Sequence, residues 1–431
     1  MNNFSISDLP KGAYIHMIGI GGISMSGIAE MLLNFGYKVS GSDAKPSGLT
    51  DRLKQNGAEI FIGQSADNIK NPDAVCYTAA ISPDNPELVK AKTLGIPVVE
   101  RAVFLGALLE KYKYPIAVAG THGKTTTSSM LSLVLLAAHK DPTILIGGEL
   151  SQIGGNYHIG GNEYLPFEAC EYVESFLHFK PFVSIITNIE EDHLDYFKDL
   201  NHIITSFVKF ASLTNDNGCN IVCIDENTTQ SIVQNVKKKA VTYALNNKNA
   251  DYTAENITLE KNGCPTFDIF NKDRKVLSVS LNVAGDHNIC NALGVTAACE
   301  FLGIEPEYIK SGLEEFRGAK RRFDRLGKTE TGVDVVDDYA HHPTEIKTTL
   351  ETAKKMGYNN VWVAFQPHTY TRTAAFLEQF ASALKTADRV MITDIYPARE
   401  KYDGTMHACD LARLIPGVVY MNDMDAMKRY I

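Results

Sequence analysis

At 431 residues the chain is long for one hydrophobic core, and two to four domains are expected. A formal net charge of -9 excludes nucleic-acid binding through a general basic field, and 44% hydrophobic with 22% charged residues is ordinary for a globular enzyme. No apolar run approaches the ~18–20 residues of a membrane span, and the opening "MNNFSISDLPKGAYIHMIGIGG" lacks the basic start and apolar core of a signal peptide, so a cytoplasmic enzyme without membrane insertion is expected.

Residues 12–43 begin with an apolar strand over 14–19 that runs into glycines. A helical pattern follows with Ile28, Met31, Leu32 and Phe35 on one face, and a second strand ends at Asp43. This is a βαβ unit. "GIGGIS" sets Gly19, Gly21 and Ser24 at the three positions of a G-x-G-x-x-G turn, with Gly22 inside it and Asp43 where a ribose-binding carboxylate sits. Alone, this turn also fits a dinucleotide-dependent oxidoreductase. Strands at "DAVCYTAA" and "IPVVE" extend the pattern into a small open parallel sheet to about residue 112.

"KYKYP" marks a boundary, after which the strand "IAVAG" feeds "GTHGKTTT" and a helix. Gly120 and Gly123 let backbone amides approach a phosphate, with Thr121, His122 and Thr126 in the same loop. Lys124 supplies a full positive charge, and Thr125 a hydroxyl for Mg²⁺. Val118 stands where the strict G-x-x-x-x-G-K-[ST] pattern has its first glycine, so the loop is a shorter form. Hydride transfer has no need of this second loop.

Strands are expected at "VSIITNI", "CNIVCID" and "AVTYAL", and antiparallel hairpins between 251 and 284, where apolar and polar residues alternate. Glu171, in "FEACEYVESF", and His193, in "EEDHLD" after a strand, are candidate metal ligands; His193 taken alone reads rather as a surface or helix-capping residue, and the phosphate loop reverses that preference. His287, Asn288 and Asn291 open a helix, where the amides suit adenine edges and Asp286 or Asn288 suits an N-cap. "GAKRRFDRLG" gathers Lys320, Arg321, Arg322 and Arg325, either a solvated face or a phosphate clamp. After it the βα rhythm returns, with strands at "VDVVDDYA", "VWVAFQ" and "RVMITDIY" and helices near 344–356 and 374–386. The eight cysteines are scattered and read as reduced core thiols; Cys219 and Cys223 lie four apart, but no second pair completes a zinc site.

In order along the chain, "HMIGIGGISMSGIAE", "GTHGKTTT", "FEACEYVESFL", "ITNIEEDHLDYF", "GDHNICNALG", "RRFD", "DDYAHHPTEI" and "FQPHTYTRT" resemble the motifs of the Mur ligases of peptidoglycan synthesis. The resemblance implies an α/β fold of three domains. Residues 1–112 would be an N-terminal Rossmann-like domain for a UDP substrate, with Gly19, Gly21, Gly22, Ser24 and Asp43 at its site. Residues 113–324 would be a central P-loop-type ATPase with a mainly parallel sheet plus a small antiparallel one, and 325–431 a C-terminal Rossmann-like domain for the amino acid.

The substrates so implied are UDP-N-acetylmuramate, L-alanine and ATP with Mg²⁺. By motif, Thr125, Glu171 and His193 would hold the metal, and Lys124 and Arg322 the phosphates. His287, Asn288 and Asn291 would lie at adenine, and Tyr339, His341 and Arg372 around the amino acid. Thr369 stands where many members have arginine, Lys209 is given no carbamylated role, and the third domain is expected to be shorter than usual by about a strand and a helix.

Overall fold

The computed structural model describes residues 4–398, 400–402 and 404–430. Its first part runs β1 (Tyr14–Ile18), α1 (Ile23–Asn34), β2 (Lys38–Asp43), α2 (Gly48–Gln55), β3 (Glu59–Ile62), β4 (Ala74–Tyr77), α3 (Pro86–Thr93), β5 (Val98–Glu100) and α4 (Arg101–Leu109). The strands pair in parallel in the order β3-β2-β1-β4-β5. Strand order reverses at β1, so a crevice opens at the carboxyl ends of β1 and β4, where the first glycine turn lies. β3 escapes the sequence reading because it is a short edge strand, with Ile62 half exposed and no clear alternation.

The second part contains β6 (Tyr114–Ala119), α5 (Lys124–Ala137), β7 (Ile144–Leu150), β8 (Gly155–His158), β9 (Tyr164–Glu168), β10 (Val183–Ile186), α6 (Leu200–Ser212) and β11 (Cys219–Cys223). It continues with α7 (Asn227–Asn235), β12 (Ala240–Tyr243), β13 (Tyr252–Leu259), β14 (Pro265–Asn271), β15 (Arg274–Ser280), α8 (Asp286–Phe301) and α9 (Pro306–Glu315). One ten-stranded sheet results, ordered β15-β14-β13-β12-β11-β10-β6-β9-β7-β8. Its middle is parallel and fully buried, as the near-continuous apolar runs of β6, β10 and β11 require. The antiparallel limb β13–β15 joins it through the single pair Tyr243–Tyr252.

Helix α5 packs against α8 and α9. Contact with α9 is close because Gly312 has no side chain: a Cβ there would come 2.4 Å from Val134 Cα. The apolar core does not stop at "KYKYP". Phe104, Leu105 and Leu108 of α4 belong to the same cluster as Phe167, Phe176 and Phe207 of the large sheet's layer.

The last part holds β16 (Asp324–Lys328), β17 (Asp334–Asp337), α10 (Pro343–Lys355), β18 (Trp362–Phe365), α11 (Tyr370–Ala375), α12 (Leu377–Leu384), β19 (Arg389–Ile392), α13 (Ala408–Arg413), β20 (Val419–Tyr420) and α14 (Met424–Tyr430). Two expectations need correction. The strand in "VDVVDDYA" pairs antiparallel with β16 and stays out of the parallel sheet β18-β19-β20, since its flanking aspartates and half-exposed Val335 disfavour burial on both faces. The helix expected over 374–386 is broken at Phe376, whose backbone (φ -115, ψ 25) separates α11 from α12. Among the described residues, no helix is long and apolar enough to cross a membrane.

Candidate active site

The second glycine loop sits where β6 meets α5. At Gly120 the chain passes so close to the end of β10 that a Cβ would lie 1.9 Å from Thr187 Oγ1. Gly123 takes the left-handed conformation (φ 83) and is the N-cap of α5. No side chain caps this helix, so the amides of its first turn are available at its positive dipole end. Loop residues Thr121 to Thr126 line a cavity of about 590 Å³ with Glu168, Glu171, Asp192, His193, Asn288, Asn291, Arg322, His341 and Glu345.

Lys124 Nζ donates to Glu171 Oε2 at 3.0 Å and to the carbonyl of Thr121 at 3.1 Å. Burial alone would lower its pKa, but Glu171, itself 3% exposed, outweighs burial and holds the ammonium charged. His193 Nε2 lies 3.9 Å from Glu171 Oε1 and 3.8 Å from Asp192 Oδ2. His193 has a left-handed backbone (φ 54) in the turn after β10, and the next helix, α6, is capped by Asp199, so the helix-cap alternative falls. Thr125 is buried at the start of α5.

Helix α8 starts at Gly285 without a side-chain cap, so neither Asp286 nor Asn288 serves as one. Asn288 Nδ2 donates to the Ala284 carbonyl at 2.7 Å, and Asn291 Nδ2 to Asn288 Oδ1 at 3.3 Å. Asn291 also abuts the glycine loop, its Oδ1 3.1 Å from where a Cβ on Gly123 would stand. Burial pushes the neighbouring His287 down to about 4, so it is a neutral ring.

The third sheet's layer closes the cavity through the start of α10, and α11 reaches its edge only through the pair of Arg372 with the lining residue Asp192. Glu345 Oε1 is 3.1 Å from His122 Nδ1 and 3.7 Å from Arg322 Nη1. Glu190 faces His122 Nε2 at 3.7 Å, within ionic reach. Burial disfavours charge on His122, but these two carboxylates raise its pKa to about 9. Thr344 Oγ1 donates to Glu190 Oε2 at 2.5 Å, and the Glu191 carbonyl pairs with His342 Nε2 at 3.0 Å.

Arg372 closes its guanidinium on Asp192, with Nη2 and Nε 3.0 and 3.2 Å from Oδ1. Burial pulls Asp192 upward, but His193 and then Arg372 hold its carboxyl at about 2. His341 lines the cavity, and burial lowers its pKa. Tyr339 is more exposed; the Arg321 guanidinium covers its ring at 4.4 Å. Thr369, left-handed at φ 65, caps α11 by accepting from Arg372 N at 3.4 Å.

Gly19, Gly21, Gly22, Ser24 and Asp43 gather at the first glycine turn, and none of them lines this cavity. Asp43 Oδ2 accepts from Gly21 N at 2.9 Å, and a Cβ on Gly21 would meet that oxygen at 2.8 Å. Among the cavity residues that sequence does not single out are the carboxylates Glu168, Glu190, Asp192 and Glu345. The first three stand inside quoted motifs at strand ends, which is a usable signal. Glu345 stands inside the quoted "DDYAHHPTEI", where it is the third helical position of a capping box with His342.

Comparison with known proteins matches three family profiles in succession: "Mur ligase family, catalytic domain" over residues 14–113, "Mur ligase middle domain" over 118–299, and "Mur ligase, glutamate ligase domain" over 321–431. The first glycine turn thus lies inside the family match, which removes the ground for the oxidoreductase alternative. The chain is 50% identical to the UDP-N-acetylmuramate–L-alanine ligase of Acetivibrio thermocellus, over 100% of this chain and 92% of that one. The crystal structure of UDP-N-acetylmuramate-alanine ligase from Thermotoga maritima superposes with a TM-score of 0.80 at 33% identity, covering 97% of this chain and 93% of that one. A murein peptide ligase from Psychrobacter arcticus gives a TM-score of 0.72 at 25% identity, covering 97% and 93%.

Proposed function

The chain belongs to the Mur ligase family, and from that premise we propose that it joins L-alanine to the carboxylate of UDP-N-acetylmuramate at the expense of ATP. The products are UDP-N-acetylmuramoyl-L-alanine, ADP and phosphate. The observation that carries this reading is the single cavity in which Lys124, Glu171, Asn288 and Asn291 from the large sheet's layer face His341 and Glu345 from the third. Residues 1–112, 113–324 and 325–431 are assigned to the sugar nucleotide, ATP and the amino acid. A cytoplasmic location suits both nucleotide substrates.

A carboxylate resists attack by an amine because its leaving group would be oxide. Transfer of the γ-phosphoryl group breaks the bond to the β-phosphate and forms a carboxyl–phosphate bond, which converts the leaving group to phosphate. The alanine amine then attacks the acyl carbon and loses a proton, and the tetrahedral intermediate collapses to amide and phosphate. Lys124 and the uncapped amides of α5 hold the phosphate oxygens as charge moves onto the leaving nucleotide. Arg322, which lines the same cavity, adds a second cation. Asn288 and Asn291 face the base, and the neutral His287 beside them brings no charge to it.

A hard divalent cation fits the wall beside Lys124. Glu171 offers a buried carboxylate, His193 an imidazole 3.9 Å away, and Thr125 a hydroxyl next to Lys124, the oxygen-rich donor set that Mg²⁺ takes. When bound, Mg²⁺ would offset phosphate charge. Arg372 takes the alanine carboxylate by its planar fork, and Asp192 must release the fork for this to happen.

The test is mass-spectrometric product analysis with UDP-N-acetylmuramate, ATP and each amino acid in turn. L-alanine should give the amide fastest, with glycine and serine slower. Acceptance of a preformed tripeptide in place of alanine would overturn the reading.

A further inference from the structure

All eight cysteines are free thiols, and two of them meet far from each other in sequence. Cys223, the last residue of β11, and Cys290, in the second turn of α8, bring their Sγ atoms to 3.6 Å. Asp225, just past β11, places Oδ2 4.0 Å from Cys223 Sγ and 3.9 Å from Cys290 Sγ. We propose that Cys223, Asp225 and Cys290 form a site for a thiophilic divalent metal of the Zn²⁺ class, separate from the proposed Mg²⁺ ligands.

The three distances fit a tetrahedral ion. Zn–S bonds of about 2.3 Å at the tetrahedral angle put two sulfurs about 3.8 Å apart, and a carboxylate oxygen about 3.6 Å from each sulfur. Shifts of a few tenths of an ångström would bring all three atoms onto one ion. The carboxylate is already fixed by its surroundings: Oδ2 accepts from Leu245 N at 2.8 Å, and Oδ1 from Asn246 N and Asn247 N at 2.8 and 3.0 Å. Such outer hydrogen bonds orient a metal ligand and offset its charge. Once the two thiols are deprotonated, two thiolates and a carboxylate this close would repel, and a bound cation would offset that repulsion. Cys290 is only half-buried, which leaves a way in.

Spacing along the chain does not reveal this pair. Cys219, four residues before Cys223, turns its sulfur to the Asn220 carbonyl at 3.6 Å, while Cys290, the thiol beside Cys223, lies 67 residues on. Binding is balanced by proton release: two S–H bonds break, two metal–sulfur bonds form, and two protons pass to the buffer. The ion would tie the end of β11 to the first turns of α8, behind Asn288 and Asn291.

The full chain, freed of metal under a reductant, is titrated with Co²⁺ and then with Zn²⁺. One equivalent of Co²⁺ should give a thiolate-to-metal charge-transfer band, and Zn²⁺ should displace it. The band distinguishes this site from His122, Glu190 and His342, the other metal-competent group among the described residues, which has no sulfur. Cys290→Ser should abolish the band, Asp225→Asn should weaken binding about 10-fold or more, and Cys219→Ser should leave it intact. Zn²⁺ should also protect two of the eight thiols from alkylation in the unaltered protein, mapping to Cys223 and Cys290, a readout that needs no variant to fold. A missing band, a band that survives Cys290→Ser, protection of other thiols, or a peroxide-formed Cys223–Cys290 disulfide with no metal binding would overturn the proposal.

Discussion

The two glycine turns use one backbone plan with different chemistry around it. Both follow a buried parallel strand and open a helix, β1 into α1 and β6 into α5, and neither helix has a side-chain cap. At the first turn a carboxylate already occupies an amide, Asp43 Oδ2 on Gly21 N, and there is no room for a Cβ. At the second, Lys124 follows the turn, Glu171 holds it charged, and His122 sits between two carboxylates. A strand–turn–helix supplies amides and a dipole; the charges around it decide which ligand it serves. Under the proposed function the first turn takes the sugar nucleotide and the second takes ATP.

The largest break in that comparison should come from Lys124→Ala. Removal of the lysine charge from the loop should lower ADP release by about 10²–10³-fold, the scale of losing one preorganised transition-state contact. A folded variant with near-normal turnover would remove Lys124 from the phosphates. Next in size, Glu171→Ala and His193→Ala should each lower the rate and raise the Mg²⁺ concentration needed for half-maximal rate about 10–100-fold. A Mg²⁺ titration that matches the unaltered protein in both variants would leave these residues a structural role only.

Arg372→Lys sharpens the contrast between nucleotide and amino acid. It should raise the KM for alanine and leave the KM for ATP unchanged, because an ammonium cannot reproduce a bidentate fork. Asp192→Asn should act in the opposite direction on alanine, since it frees the fork that Asp192 now holds. A shift in the ATP KM instead would move Arg372 to the nucleotide site.

The smallest effect is on pH. His122 is raised from 6.5 to about 9 in the folded chain by Glu190 and Glu345. A raised histidine stabilises fully below its unfolded pKa, so this link across the cavity is whole below pH 6.5 and is lost as pH climbs through about 9. Glu190 and Glu345 are lowered from 4.5, so their share is present above that value and fades on acidification. Hydrogen exchange in the first turn of α10 should therefore accelerate on the alkaline side, and His122→Gln should flatten that rise.

How much was legible follows range along the chain. β1, β6, β10 and β11 are apolar runs that end in glycine or acidic turns, so pattern alone finds them. β7 contains Gly147 and Gly148, and β8 is four residues long, so neither shows alternation, although β9 and β7 extend the sheet beside the loop. The loop residues 120–126 were readable because their spacing is local. The ties Asp192–Arg372 and Glu191–His342 span 180 and 151 residues and exist only once the third sheet has docked. For the same reason the motif resemblance could set Arg372 near the amino acid, while the protein's own Asp192 on its guanidinium could not be foreseen.

The central claim is two turns with two ligands, and calorimetry on the unaltered protein, Lys124→Ala and Gly21→Ala tests it most directly. The unaltered chain should bind UDP-N-acetylmuramate and ADP together, each at its own site. Lys124→Ala should lose ADP and keep the sugar nucleotide; Gly21→Ala, whose new Cβ would meet Asp43 and Thr50 at 2.8 and 2.9 Å, should do the reverse. Competition between the two nucleotides, or loss of both ligands in either folded variant, would contradict the account.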